Sequence, residues 1–447
     1  MSITRTPLHF LAPHLLPLVL LIAGRTVLAY TVFEPECTQP KEPVNFVSTP
    51  HSRGTLEILW SSLFTIFACT WTIQHPNVPE QRDGRYPGWK GDVRWGLYRT
   101  FQSLKLAVAT ILAPEIVIFI AWYDLATARA ICRELDRFVR EDGVPWSPAH
   151  GHYAVMGGFV LRVKKKDDSG PGRPYHLTGP DLVYLRGAGH LDRLPHITLE
   201  ELGDKSKSDP VLKALALGQI VWSVAQIVVR ALHHLSISLL ELSVFAFAAC
   251  AVVVYVLYWN KPKQVNTATT VHVYQDEIPA AVLHRFQPAS SIVWRTFIGS
   301  SAHRRATKFR GQPIGTLSYS EHYESRSTTL MLLLLGTVLF GGIHVAGWNF
   351  SFPTPQERIL WRCASVYTTA VFLLVLLAEI VEHYVLECLG VQVLEGIRGF
   401  DYISTSILVV IYILARLVIL VETFRTLGYL PSDAFVSTSV ASIPHFS

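Results

Sequence analysis

The chain has 447 residues and a formal net charge of +5; half of it is hydrophobic and only 16% is charged. Soluble domains carry about 25% charged residues, so the composition excludes an ordinary soluble globular protein and fits several membrane spans. The basic residues gather between the apolar runs, which reads as topology and contact with acidic headgroups; no basic patch interleaved with stacking aromatics marks a nucleic-acid module.

The first apolar stretch, Leu8 to Ala29, is broken by Pro13, Pro17 and Arg25. Residues 1–30 are therefore either a signal peptide or an N-terminal transmembrane segment, followed by one polytopic domain over 31–447. Seven further runs have spanning length: Gly54–Ile73, Lys105–Ala126, Val211–Leu232, Leu235–Trp259, Thr328–Trp348, Trp361–Leu389 and Asp401–Thr423. The third is the weakest, since Lys213, Gln219, Gln226 and Arg230 interrupt it; lying along the interface is its alternative. The predicted fold is an all-α integral membrane protein, a multi-pass helical bundle of about 7–8 transmembrane helices with two long extramembrane loops, 129–210 and 260–327. Neither loop is apolar enough to predict a large core of its own, so both are expected to pack on one face of the bundle.

Orientation is contradictory at this level. Alternating seven spans puts both long basic loops on one side, but puts the basic loop His75–Thr100 on the other. Asn349-Phe350-Ser351 is a glycosylation sequon against a span end, which favours a lumenal side there. The six cysteines are scattered, with no CxxC pair and no zinc spacing; Cys69, Cys250 and Cys388 lie in apolar runs as small core residues.

Ionisable residues inside spans are costly and mark function by default. Glu379, Glu382 and His383 sit near the centre of one run, three and four residues apart, and so share a helix face. Their structural alternative is a polar clamp with Arg416. Glu115 follows Pro114, which removes a helical hydrogen bond and opens the helix; it is either a functional acid, a group bonded to a freed carbonyl, or a partner of Arg230. Glu241 reads as a solvated helix end. His344 and Trp348 lie one turn apart, with Gly341 and Gly342 allowing close helix approach. There is no Walker A, HExxH, GxSxG or aspartate-rich diphosphate motif, so no metal and no cofactor is expected.

Several blocks carry a resemblance: WTIQHPNVP (71–79), APEIVIFIAW (113–122), HGHYAVMGGF (150–159), DKSKSD (204–209), LSISLLELSVFAFA…YWNKP (235–262), GGIHVAGWNFSFPTPQERILWR (341–362) and YILARLVILVETFRTLGYLP (412–431). They resemble a group of fungal multi-pass membrane proteins whose characterised branch is the membrane-bound terpene cyclases of ascofuranone and macrophorin biosynthesis. The resemblance implies a lipophilic prenylated substrate, a farnesyl chain on a polyketide-derived ring. Its terminal epoxide or olefin is protonated, and the cation is then quenched by internal double bonds or an oxygen. Glu115, Glu379, Glu382 and His383 are the candidate catalytic residues. Trp122, Tyr123, Trp222, Tyr255, His344 and Trp348 are the candidate substrate-binding residues, since an aromatic face over a desolvated cation contributes about 2 kcal/mol or more. Membrane lipid and other enzymes of a biosynthetic pathway are the expected partners, and an endomembrane such as the endoplasmic reticulum the expected location. A non-enzymatic membrane protein or a proton-coupled transporter is the alternative.

Overall fold

The structure is a computed structural model that describes residues 53–79, 81, 87–164, 173–207, 210–279, 282, 290–291, 318–319, 326–389 and 394–438. Only the backbone is described at 173, 210, 212–213, 290–291, 318–319, 326–332, 375–376, 378–389 and 394–406. The expectations for residues 1–30 and for most of the 260–327 loop lie outside the described residues. So do the side chains of Glu379, Glu382, His383 and Cys388.

The chain is mostly helical. The long helices are α1 (Thr55–Thr72), α2 (Trp89–Leu112), α3 (Pro114–Asp142), α7 (Pro210–Leu232), α8 (Leu239–Leu257), α9 (Arg326–Val345), α10 (Pro355–Leu389) and α11 (Leu394–Arg425). Between α3 and α7 come α4 (Pro148–Val155), β1 (Phe159–Lys164), β2 (Arg173–His176), α5 (Gly179–Gly187) and α6 (Leu199–Lys205). Strand β3 (Thr269–Gln275) follows α8, and two-residue strands β4 (Ser290–Ser291) and β5 (Ser318–Tyr319) pair antiparallel. The strands correct the all-helical expectation.

Among the described residues, three helical stretches are long and apolar enough to cross a membrane: Ala214–Leu232, Leu239–Leu257 and Ile407–Gly428. Helices α2 and α3 pass together but are bent by 109° at Ala113, and Leu333–Asn349 is apolar but shorter. The run expected to be weakest is thus one of the three. The reason is a stripe: Gln219, Ser223, Gln226 and Arg230 recur at helical spacing and are all buried, while Leu215, Val221, Val228 and Leu232 face outward. Gln219 donates to Thr65 of α1 at 3.1 Å, and the Thr65 and Ser223 hydroxyls lie 2.7 Å apart. Helix α1 is built the same way, with Leu56, Trp60, Phe64, Phe67 and Trp71 outward and Ser61, Thr65, Ala68, Cys69 and Thr72 inward. Polar inside and apolar outside is the pattern of helices whose surroundings are lipid.

The polar segments between α3 and α7 and after α8 form a cap at one end of the bundle. In its sheet β1 pairs antiparallel with β2 and parallel with β3, the latter with a register shift at Val160/Leu161. The connection from β1 to β3 runs through α7 and α8, so the sheet closes only after the chain has left the cap and returned. The cap has its own core, including Ile131, Leu135, Tyr153, Met156, Phe159, Leu161, Leu182, Leu185, Leu202 and Val265. No such core was expected from the loops. The difference is α3, which extends out of the bundle and supplies Ile131 and Leu135 before ending at Gly143 with φ 60°, a left-handed conformation suited to glycine.

Candidate functional site

Two buried polar centres lie on α3. The first surrounds the α2–α3 break. Proline at 114 has no amide hydrogen, and the last carbonyls of α2 have no helical partner there. Leu112 O instead accepts from Arg416 Nε at 2.6 Å and from the Tyr412 hydroxyl at 3.4 Å, both on α11. Arg416 Nη2 stands 3.5 Å from Glu115 Oε2, near enough for charge attraction but without a hydrogen bond between them. Both residues are at least 95% buried. The guanidinium lies 4.0 Å over the Phe340 ring and 5.7 Å from that of Tyr412.

Gly336 of α9 makes this approach possible, since a Cβ there would stand 2.7 Å from the Cβ of Glu115. His344, one turn after Phe340, bonds the Phe340 carbonyl through Nδ1 at 2.8 Å and stands 3.3 Å from Ser243 Oγ through Nε2. The indole nitrogen of Trp361 is buried without a hydrogen bond, and so is the hydroxyl of Ser365.

The second centre joins bundle to cap. Lys261 Nζ bonds Asp124 Oδ2 at 2.6 Å, reaches Asn77 Oδ1 at 3.4 Å and lies 4.4 Å over the Tyr258 ring. The Tyr258 hydroxyl donates to the same carboxylate oxygen at 3.0 Å, and His75 packs against the Tyr258 ring at 4.8 Å. His152 of α4 is fully buried, with neither ring nitrogen hydrogen-bonded, and the Thr127 hydroxyl, one turn from Asp124, is also unpartnered. Burial, with Lys261 and Arg129 nearby, pushes the His152 pKa down to about 3, so the ring is neutral at physiological pH.

The expected residues divide among these centres, the packed interior and the surface. Glu115 is at the first centre, but its cation is Arg416 and not Arg230. Arg230 donates instead to the carbonyls of Ser236, Asp433, Ala434 and Val436. Glu241 is no solvated helix end: it caps Ser238 and pairs with Arg53, both buried. Tyr123 is buried beside Phe119, at 6.2 Å between ring centroids, and Trp222 is buried in α7. Tyr255 packs against the α8 core.

Trp122 and Trp348 lie elsewhere than expected. Trp122 is 38% exposed because Ala121 and Tyr123 on either side take the inward positions, and Trp348 is 39% exposed in a short 3-10 turn with Arg362 4.8 Å over its ring. Of the two glycines, Gly341 packs against Thr369 of α10, whereas nothing stands within 4 Å of a Cβ at Gly342.

Sequence reading missed Arg416 as the partner of Glu115, and Asp124, His152 and Lys261 as one cluster. The usable signal was the presence of these charges within or beside apolar runs.

Residues 26–292 match a family profile, more than half of the chain. The chain belongs to DUF8562, a family of unknown function. The matched stretch holds the whole Asp124–Lys261 centre and Glu115, while Arg416, Phe340 and Tyr412 lie beyond it. Neither a curated protein nor a solved structure matches the chain. Among the described residues no three histidine, cysteine, aspartate or glutamate side chains are grouped as a metal site.

Proposed function

We propose that the protein is a multi-pass membrane enzyme of the endomembrane system, with the seven to eight spans read from the sequence, that cyclises the prenyl chain of a farnesylated, polyketide-derived ring by proton transfer. The observation that carries this reading is Glu115: a carboxyl group inside an apolar bundle whose Oε2 makes no hydrogen bond, beside aromatic rings that already hold a cation. The resemblance of the sequence blocks to meroterpenoid cyclases supplies the substrate class.

In this mechanism Glu115 gives its proton to the terminal epoxide oxygen, or to the terminal olefin. The C–O bond breaks, or the π bond is consumed, as the neighbouring double bond attacks. The positive charge moves along the chain past the faces of Phe340 and Tyr412. Loss of a proton from carbon ends the cascade, and the product has the mass of the substrate. Arg416 stabilises the carboxylate that remains between the two proton transfers. A buried, water-poor bundle protects the cation from hydrolysis, and a lipophilic chain reaches it from the bilayer.

The test is conversion of a farnesylated phenol and its terminal epoxide by microsomes carrying the protein, against empty-vector membranes. A cyclic isomer of unchanged mass that disappears in Glu115→Gln, with the variant still inserted, supports the proposal. No conversion of either substrate by well-folded protein overturns it.

A further inference from the structure

The α2–α3 bend has a topological meaning. The far end of α3 carries the cap core. The start of α2 is on the same side: Arg99 bonds the side chain of Asn266, Gln81 bonds the Asn266 carbonyl at 3.1 Å, and the Val78 amide bonds Met156 O at 2.9 Å. The vertex, at Leu112 and Ala113, lies inside the bundle against Arg416 and Tyr412. Helix α1 runs from the opposite end, where the Arg53 amide bonds Phe435 O, to the cap. A 109° bend leaves the two helix axes about 71° apart, so the 24 residues of α2 descend only about 12 Å along the direction of α3. That is less than half of a hydrocarbon core of about 30 Å.

Helix α2 also has an outward face that no other described residue covers. Trp89, Val93, Leu97, Phe101, Leu104 and Val108 are all more than 45% exposed and recur at helical spacing. Arg94 and Lys105 flank this stripe on one side and Lys90 stands at its N-terminal end, and all three are exposed. An apolar stripe edged by basic residues suits the boundary between acyl chains and anionic headgroups.

We infer that α2 and α3 form a re-entrant hairpin that enters and leaves on the cap side, and that the outward face of α2 lies in an anionic, cytosolic leaflet. This rests on the membrane reading above and reduces the number of crossings by one. It also removes the conflict over orientation. The basic loop before α2 and both long basic loops then share one side, facing Arg358, Arg362 and Arg425 and the buried Arg53 and Arg230 at the other end, so the positive-inside rule favours the cap side as cytosolic. Asn349 falls on the lumenal side.

The experiment uses full-length protein in microsomes with glycosylation acceptors inserted between Asp83 and Gly84, between Asp168 and Ser169, or after Ala441. Carbonate extraction comes first: release of the protein would overturn the membrane reading, not the hairpin alone. The expected result is no glycan at the first two positions and a glycan at the third. A difference between the first two overturns the hairpin. Glycans at both of them, with none at the third, overturn the cytosolic assignment.

The leaflet is tested in nanodiscs by quenching of Trp89 with brominated lipid, taken as the difference from a Trp89→Phe variant. Brominated phosphatidylserine is expected to quench about twofold or more over brominated phosphatidylcholine, with parity in Lys90→Glu/Arg94→Glu/Lys105→Glu. Parity in the wild type overturns the anionic-lipid contact.

Discussion

Glu115 and Asp124 stand nine residues apart on α3, about half a turn out of phase, so one helix presents two buried carboxylates in opposite directions. Each meets a cation from a distant part of the chain, Arg416 for Glu115 and Lys261 for Asp124. They are two centres, one inside the bundle and one where bundle and cap meet, and they are expected to fail separately.

Removing one charge from the inner pair leaves the other buried and alone. Arg416→Met is expected to destabilise the bundle by about 3–5 kcal/mol, and Glu115→Leu/Arg416→Met to recover most of it. Thermal unfolding in detergent reads both, and a double variant no better than the single would show that the pair is not the origin of the loss.

At the outer pair, Lys261→Met leaves Asp124 uncompensated and loosens the cap. Faster proteolysis within 143–207 is the expected result, with the bundle fragments intact and protection returning in Asp124→Asn/Lys261→Met. Glu115→Gln is expected to leave that cleavage pattern unchanged.

The cap also carries a pH dependence. The unfolded chain protonates His152 near its ordinary 6.5, but the folded cap only near 3. Its contribution to stability is complete above 6.5 and declines as the pH falls from there towards 3. Asp181, pushed up by burial from 3.8 to about 6, has the opposite sign: its contribution is complete below 3.8 and is lost as the pH rises through 6. Cap unfolding followed across pH 3–7 is therefore expected to flatten on the acid side in His152→Gln, and to stay steep there only if the histidine is not responsible.

Gly336 and Gly342 differ only in what surrounds them. Gly336→Ala is expected to cost about 1–3 kcal/mol and to displace Glu115, whereas Gly342→Ala is expected to be silent. If microsomal conversion is established, it falls in the first variant and holds in the second. Trp122→Ala and Trp348→Ala, both at the surface, are expected to keep turnover and to lie within about 1 kcal/mol of wild type.

Much of the helical layout was legible because apolar runs of spanning length are a strong local signal: α1, α7, α8 and α9 lie where their runs lie. What the sequence hid was angular or long-range. Pro114 marks a break but carries no bend angle. The polar residues of α7 weakened its reading because periodicity shows that they share a face without showing that the face is internal. Helix α3 was divided between a span and a loop, which concealed the core it gives to the cap. The pairing of Glu115 with Arg416, some three hundred residues on, has no local trace, and Trp122 could not be oriented without knowing which neighbours turned inward.

Helix α7 hides its glutamines and displays its valines, which inverts the usual rules for engineering a protein surface. On the membrane reading, charged replacements at Leu215, Val221 or Val228, the ordinary route to better solubility, would set charge against acyl chains. Conversely, a greasier replacement at Gln219, the ordinary route to a tighter core, would remove the hydrogen bond it gives to the Thr65 hydroxyl of α1. A water-soluble version of this chain would have to be rewritten from the outside while its polar interior was left alone.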